Sequence, residues 1–387
     1  MTSHLDLRPL WAATSIAVIG ATERVGAMGR LPLEYLIKHG FDGFIAPVNP
    51  KGGEIFGMEA FVSMASVPQH IDLALIMVPA QLVKDAVRDC ADAGVNVAIV
   101  MSSGFAEVDE KGAAAQQELV DIARTKGMRI VGPNCIGSVG GAHKVLATFS
   151  PVFSSEATPL PDGRIALVSQ SGALGFGALS LGLERGVPIG IAITTGNEAD
   201  VTATEVAVQL AQDPDVDAVV MYVESLGNLD SLAQVAATKP IAILKAGRSV
   251  AGAEAAASHT GALASPDKVV SAGLKQYGIA RVENIDELLD VASLFASERI
   301  IGGSGVGIVT TSGGSGILAV DAIEKEGLVL ANLDQSTVSD LEQIVPSYGN
   351  ATNPVDVTAA VMAEPGLFER CVDRLADDPA VNAIVAC

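Results

Sequence analysis

Cysteine is scarce and unpatterned in this chain. The four residues, at positions 90, 135, 371 and 387, show neither metal-ligand spacing nor a paired framework. Reduced thiols of a cytoplasmic protein are the economical expectation, with no metal centre. Aromatic residues make up only 4% of the chain. Basic charge is also short: 24 Lys and Arg against 45 Asp and Glu leave a formal net charge of -21. That balance disfavours nucleic acid and anionic membranes as partners. No apolar run reaches the roughly 18 residues that suggest a membrane span. The start, Met1 to Pro9, lacks the apolar core of a signal peptide.

What the chain does have is small and aliphatic. Of 387 residues, 49% are hydrophobic, 18% are charged and 40 are glycine. This suits an α/β protein with buried Val/Ile/Ala strands and tight glycine turns, long enough for two or three domains.

The first domain, residues 1–145, opens with a buried strand, Ser15 to Gly20, a glycine-bearing turn, Ala21 to Gly29, and a helical stretch, Leu31 to His39. Strand, glycine turn and helix begin a nucleotide-binding unit of Rossmann type. Further strands are expected at Phe44–Val48, Leu73–Val78, Val97–Met101 and Arg129–Val131, with helices near 81–93 and 110–126. An NAD site calls for Gly-x-Gly-x-x-Gly and an acidic residue after the second strand. Here the glycines are 20, 26 and 29, and the second strand runs into Lys51. Lysine favours a phosphate over a free ribose diol, which leaves NADP or another phosphorylated adenosine such as coenzyme A.

A second domain, residues 160–300, repeats the pattern. The strand Arg164–Ser169 meets Gln170-Ser171-Gly172 and a helix to Arg185, so a helix N-terminus suited to phosphate faces the rim. A simple N-cap at Ser171 would account for the same residues. Strands follow at Ile189–Thr194, Ala218–Val223 and Ile241–Lys245, ending in Gly196-Asn197-Glu198, Glu224-Ser225 and Ala246-Gly247.

After the last of these comes Ala257-Ser258-His259-Thr260-Gly261-Ala262, set among small residues. Taken alone, His259 reads more readily as a solvated histidine. Its order in the chain puts it on the same rim as Ser171, Asn197 and Glu224, and that convergence argues for a site. A neutral imidazole is a competent nucleophile near pH 7.

From about residue 304 to 387 the chain repeats the second domain. Val306–Gly327 matches Ile165–Gly186, and Asp378–Val385 matches Asp213–Val220. Cys387 aligns with Tyr222, in mid-strand, so the second copy is expected to be incomplete and the chain part of a longer protein.

Four segments, in this order and spacing, resemble the NDP-forming acyl-CoA synthetases, the superfamily of succinyl-CoA synthetase and ADP-forming acetyl-CoA synthetase. They are Pro47-Val48-Asn49-Pro50-Lys51, Gly132 to Gly137, Val168 to Gly172, and Ser258 to Ala262. The resemblance covers essentially the whole chain. It implies a Rossmann-type CoA-binding domain followed by two flavodoxin-like succinyl-CoA-ligase domains, and a ligase that makes acyl-CoA from a carboxylic acid, CoA and ATP.

By the same resemblance, His259 is phosphorylated during turnover, Glu224 holds it, and Ser171 and Gly172 receive the phosphate. CoA contacts fall on Thr22, Glu23, Arg24, Val25, Lys51, Met101, Ser102 and Ser103. Phe176 stands where succinyl-CoA synthetase has a tyrosine, which suits a monocarboxylate, and Asn197 could belong to the acid pocket or cap a turn. ATP or ADP with Mg2+ would bind an ATP-grasp domain or subunit that this chain does not contain, and an oligomer is expected. The alternatives are a non-catalytic CoA-sensing module of a fused protein acetyltransferase and a dinucleotide oxidoreductase. Retention of His259 and Glu224 disfavours the first, and the Lys51 turn disfavours the second.

Overall fold

A computed structural model describes residues 6–155, 157–227, 229–249, 251–252, 266–297, 299 and 301–387. The segment around His259 lies outside the described residues. The chain divides into two compact units, Met1–Glu298 and Arg299–Cys387.

The first unit contains two sheets. In the first, β1 (Ser15–Ile19), β2 (Phe44–Val48), β5 (Leu73–Ile76), β6 (Val97–Val100) and β7 (Arg129–Val131) form a five-stranded parallel sheet in the order β2-β1-β5-β6-β7. The two-residue strands β3 (Glu54–Ile55) and β4 (Met58–Glu59) pair as a separate hairpin. The central strands β1, β5 and β6 are buried throughout, as expected for a parallel sheet covered on both faces. Helices Ala80–Asp92 and Glu110–Thr125 agree closely with the expected stretches, and Asp109 caps the second by accepting a hydrogen bond from the N–H of Gly112.

The chain order reverses at β1, so the loops after β1 and β5 diverge from a crevice at the C-terminal ends of the strands, the usual ligand position in such sheets. Gly20 forms that crevice's floor with φ +92°, and an added Cβ would lie 2.7 Å from the carbonyl oxygen of Met77. Only glycine satisfies both conditions.

The second sheet has seven strands in the order β14-β13-β12-β10-β11-β8-β9. Five are parallel: β10 (Ile165–Ser169), β11 (Ile189–Thr194), β12 (Ala218–Val223), β13 (Ile241–Lys245) and β14 (Ala280–Val282). Their order is that of flavodoxin. Of the remaining two, β8 (Gly137–Gly140) falls inside the span expected for the first domain, 1–145, and β9 (Val145–Thr148) starts at its last residue. They nevertheless extend the second sheet, β8 running antiparallel to β11. The first sheet thus ends at Val131, and the next strands already belong to its neighbour.

The two sheets are fastened by an ion-pair network centred on a buried carboxylate. The Asp200 carboxylate, 0% exposed, accepts from Arg129 Nε at 2.9 Å, Arg124 Nε at 2.8 Å and the Ile130 N–H at 2.9 Å. Arg129 also grips Glu205 at 2.7 and 2.9 Å. Burial alone would raise the Asp200 carboxyl, but these donors outweigh it and hold it below the usual carboxylate range. A second tie joins the Trp11 indole N–H to the Asp213 carboxylate at 2.8 Å.

In the second unit, β15 (Gly305–Thr310) pairs with β16 (Val329–Leu330), β17 (Val355–Asp356) and β18 (Ala383–Ala386). Val306 lies opposite Ala383 in parallel register, as Ile165 lies opposite Ala218 in the first copy. That agreement is what the internal repeat predicts.

Candidate active site

The ends of β10, β11 and β12 meet the Gly132–Gly137 turn around a cavity of about 530 Å3. Its walls include Ser171, Gly172 and Ala173 at the start of helix Gly172–Arg185, Asn197 and Glu198 after β11, and Glu224 and Ser225 after β12. Ser171, Gly172, Asn197 and Glu224 were expected from sequence, and the structure brings them together. No lysine or arginine is among the described lining residues.

Ser171 is the helix N-cap, its hydroxyl accepting from the Leu174 N–H at 3.4 Å. This leaves the N–H groups of Gly172 and Ala173, which have no intrahelical acceptor, at the cavity wall. An anion there would meet amide hydrogens and the positive end of a helix of 14 residues.

Gln170, not singled out from sequence, organises the opposite wall. Its Oε1 accepts from the backbone N–H groups of Glu224 and Ser225, the latter at 3.0 Å. Its Nε2 donates to Glu198 Oε2 at 2.8 Å and to the Ser225 carbonyl at 3.0 Å. Glu198 Oε1 accepts from Thr195 Oγ1 at 2.8 Å and from the Ala203 N–H at 2.7 Å. Burial pushes the Glu198 carboxyl up despite these three donors, and the nearby Glu224 adds to the rise.

Asn197 lines the cavity, but its side chain is committed elsewhere. Its Nδ2 donates to Glu107 in the loop after β6 and to Gln116 in helix Glu110–Thr125, and its Oδ1 accepts from Asn134. It acts as a clasp between the sheets. Phe176 is a correction. It is 2% exposed and packs in the hydrophobic core with Leu179 and Ile189, one turn inward from the helix start. The apolar wall comes from Ile136 and Phe149 instead.

Behind the rim, Lys245 ends β13 with 3% exposure, its ammonium donating to the Ala246 carbonyl. Burial lowers its pKa, with the Asp267 and Glu224 charges opposing.

At the first sheet's crevice the residues expected to meet CoA separate into two groups. Thr22, Glu23, Arg24 and Val25 follow β1, Val25 being 85% exposed, and Lys51 follows β2 on the open surface. Asn49 ties these loops together, donating from Nδ2 to the Ala21 carbonyl at 2.8 Å and accepting from the Lys51 N–H at 2.9 Å. Thr22 Oγ1 accepts from the Arg24 N–H at 3.2 Å, and the Glu23 carboxylate accepts from the Phe56 N–H. Ser103 is exposed in the loop after β6. Met101 and Ser102 do not present their side chains. Met101 is 5% exposed in the core, its Cε near Gly137, and Ser102 donates its hydroxyl to the Val78 carbonyl. The exposed cations Arg24 and Lys51 and the glycine floor fit a phosphorylated ligand.

Cys135 sits in the turn beside the cavity, fully enclosed. Burial pushes its thiol up to about 12, so it offers no thiolate at neutral pH. Among the described residues no cluster of His, Cys, Asp and Glu could hold a metal ion.

Residues 14–141 match the CoA binding domain, residues 162–295 the succinyl-CoA ligase like flavodoxin domain, and residues 306–387 the Ligase-CoA domain. The α subunit of acetate–CoA ligase [ADP-forming] I from Pyrococcus furiosus is 37% identical over 389 residues, spanning 98% of this chain and 82% of that subunit. The chain belongs to the ADP-forming acyl-CoA synthetases. The match covers most, though not all, of the length of that α subunit. The acetate–CoA ligase [ADP-forming] I of Archaeoglobus fulgidus is 36% identical over 96% of this chain, yet the match spans only 53% of that protein. An acetyl-coenzyme A synthetase of Ca. Korarchaeum cryptofilum, solved in complex with phosphate and ADP, has a TM-score of 0.91 and 30% identity. It covers 98% of this chain and 81% of that one.

Proposed function

We propose that this α-subunit-like chain carries the CoA and acyl-transfer half of an ADP-forming ligase acting on a monocarboxylic acid, with His259 as the phosphoryl carrier. ATP would be handled by an ATP-grasp domain or subunit. In the synthetic direction His259 takes the γ-phosphoryl group of ATP and passes it to the acid. The resulting acyl phosphate then yields acyl-CoA and inorganic phosphate. Coenzyme A supplies the thiol that accepts the acyl group; the chain's part is to hold it at the first sheet's crevice through Arg24, Lys51 and the Thr22 turn.

The observation that carries this reading is the cavity itself. It joins a helix N-terminus suited to a phosphoryl or carboxylate group with the Glu224 turn expected to hold the histidine. Its apolar wall, and the absence of lysine and arginine among its described lining residues, favour an acid with one carboxylate. A second carboxylate would meet Glu198 and Glu224 rather than a positive charge. Acetate is the acid named for the Pyrococcus and Archaeoglobus relatives.

The reverse half-reaction tests this without ATP. Acetyl-CoA and inorganic phosphate should release CoA thiol, acetate being liberated as the phosphoryl group moves to His259. We expect a phosphate-dependent burst approaching one thiol per chain from acetyl-CoA, and a much smaller one from succinyl-CoA. Thiol release that is indifferent to phosphate would refute the reading.

A further inference from the structure

Glu198 bears two energetic burdens. It is not glycine, yet its φ is +54°, a left-handed conformation disfavoured for a residue with a long side chain. Its carboxyl is also shifted upward by burial, so ionising it in place opposes folding. Such burdens persist where the surrounding structure holds them, and they cluster at functional sites.

The hydrogen-bond pattern shows what the position accomplishes. Gln170 can turn its oxygen only toward the N–H groups of Glu224 and Ser225, because both need an acceptor. Its nitrogen then faces Glu198 Oε2 at 2.8 Å. Glu198 Oε2 takes this amide on one side, and Oε1 takes Thr195 Oγ1 and the Ala203 N–H on the other. Helix Ala203–Leu210, held by its Thr202 cap, is the fixed end of this chain of contacts. The Glu224–Ser225 turn is the other end.

We infer that Glu198 and Gln170 are a positioning pair that sets the Glu224 turn, and through it the Glu224 carboxylate, for phosphoryl transfer at the cavity. This rests on the reading of Glu224 given above. Neither residue forms a bond with the phosphoryl group. Glu198 fixes the orientation of the Gln170 amide, and Gln170 holds the backbone from which Glu224 projects.

The experiment measures the rate at which the chain takes up radiolabel from inorganic phosphate in the presence of acetyl-CoA. Glu198→Gln replaces one acceptor oxygen by an NH2 group, which must face a donor on one side or the other. We expect about a tenfold slower uptake, the effect of about 1.4 kcal/mol, with CoA affinity unchanged within about twofold. In a Glu224→Gln background the same substitution should add little, because residues acting as one unit are non-additive. Gln170→Glu sets two carboxylates against each other. Its deficit relative to the wild type should shrink as pH is lowered and one of them takes up a proton, an effect that loss of packing would not produce.

Additive losses, or a Gln170→Glu deficit independent of pH, would overturn the positioning role. If Glu198→Gln fails to fold, the pH profile of Gln170→Glu decides alone. If Glu224→Gln labels at the wild-type rate, the reading of Glu224 fails. If that variant is slow while Glu198→Gln and Gln170→Glu are not, only the positioning pair fails.

Discussion

Replacing Asp200 by alanine tests the join between the two sheets. The carboxylate is 0% exposed and accepts from Arg129, Arg124 and the Ile130 N–H. Its removal leaves the Ile130 N–H without an acceptor and Arg129, 13% exposed, with Glu205 as its remaining carboxylate partner. Breaking a buried pair by removing one partner costs about 3–5 kcal/mol. The retained Glu205 contact argues for the lower end, about 3 kcal/mol. For a unit of about 300 residues the unfolding entropy is about 0.6 kcal/mol per kelvin, so Tm should fall by about 5 °C.

The pH dependence has a definite sign. The folded-state pKa of Asp200 is depressed, so its contribution is full above the unfolded value of about 3.9 and disappears as pH falls through the folded one. The wild type should therefore lose its advantage over Asp200→Ala as pH drops below about 4. Thermal unfolding followed by circular dichroism at pH 7 and in steps below pH 5 reads both effects. A Tm change under about 1 °C at pH 7 would refute the argument, because it would mean the network contributes nothing net.

Two further outcomes follow from the same geometry. Cys90 and Cys135 have thiols pushed by burial to about 12, Cys371 is buried and raised, and Cys387 is exposed. Alkylation of the native chain at pH 7.5 should thus modify Cys387 alone, and mass spectrometry of the peptides would show a mark on Cys135 if its enclosure were wrong. Lys51→Ala, at an exposed turn, should weaken CoA binding by about 1 kcal/mol, or roughly fivefold, in calorimetry with little change in Tm. Unchanged affinity would remove Lys51 from the CoA site.

Much of the fold was legible because parallel strands buried on both faces are written as short aliphatic runs. Phe44–Val48, Ile189–Thr194, Ala218–Val223 and Ile241–Lys245 were bounded correctly to the residue. Strands β8 and β9 were not legible. Gly137-Ser138-Val139-Gly140 carries little β-branched content, and its glycines answer to tertiary contacts. A Cβ on Gly140 would lie 2.0 Å from the carbonyl oxygen of Trp11, over a hundred residues away in sequence.

The site divides in the same way. Ser171, Gly172, Asn197 and Glu224 are expected together because strand ends in one sheet share a rim, and the structure places them around one cavity. Phe176 was misplaced because its side of the helix depends on rotation about the axis, and the core claims that side. Met101 was misplaced similarly, at a strand end whose side chain turns inward. The Glu198–Gln170 contact joins residues 28 apart through side-chain geometry alone, and no spacing rule announces it.

The central claim is that His259 carries the phosphoryl group. The direct measurement is to incubate the chain with labelled inorganic phosphate and acetyl-CoA, then locate the label. The account predicts one acid-labile, base-stable mark on the peptide containing His259. That mark should be absent from His259→Ala and discharged when acetate and CoA are added together. A chain that binds CoA tightly yet takes up no label, or keeps its label in His259→Ala, would contradict it.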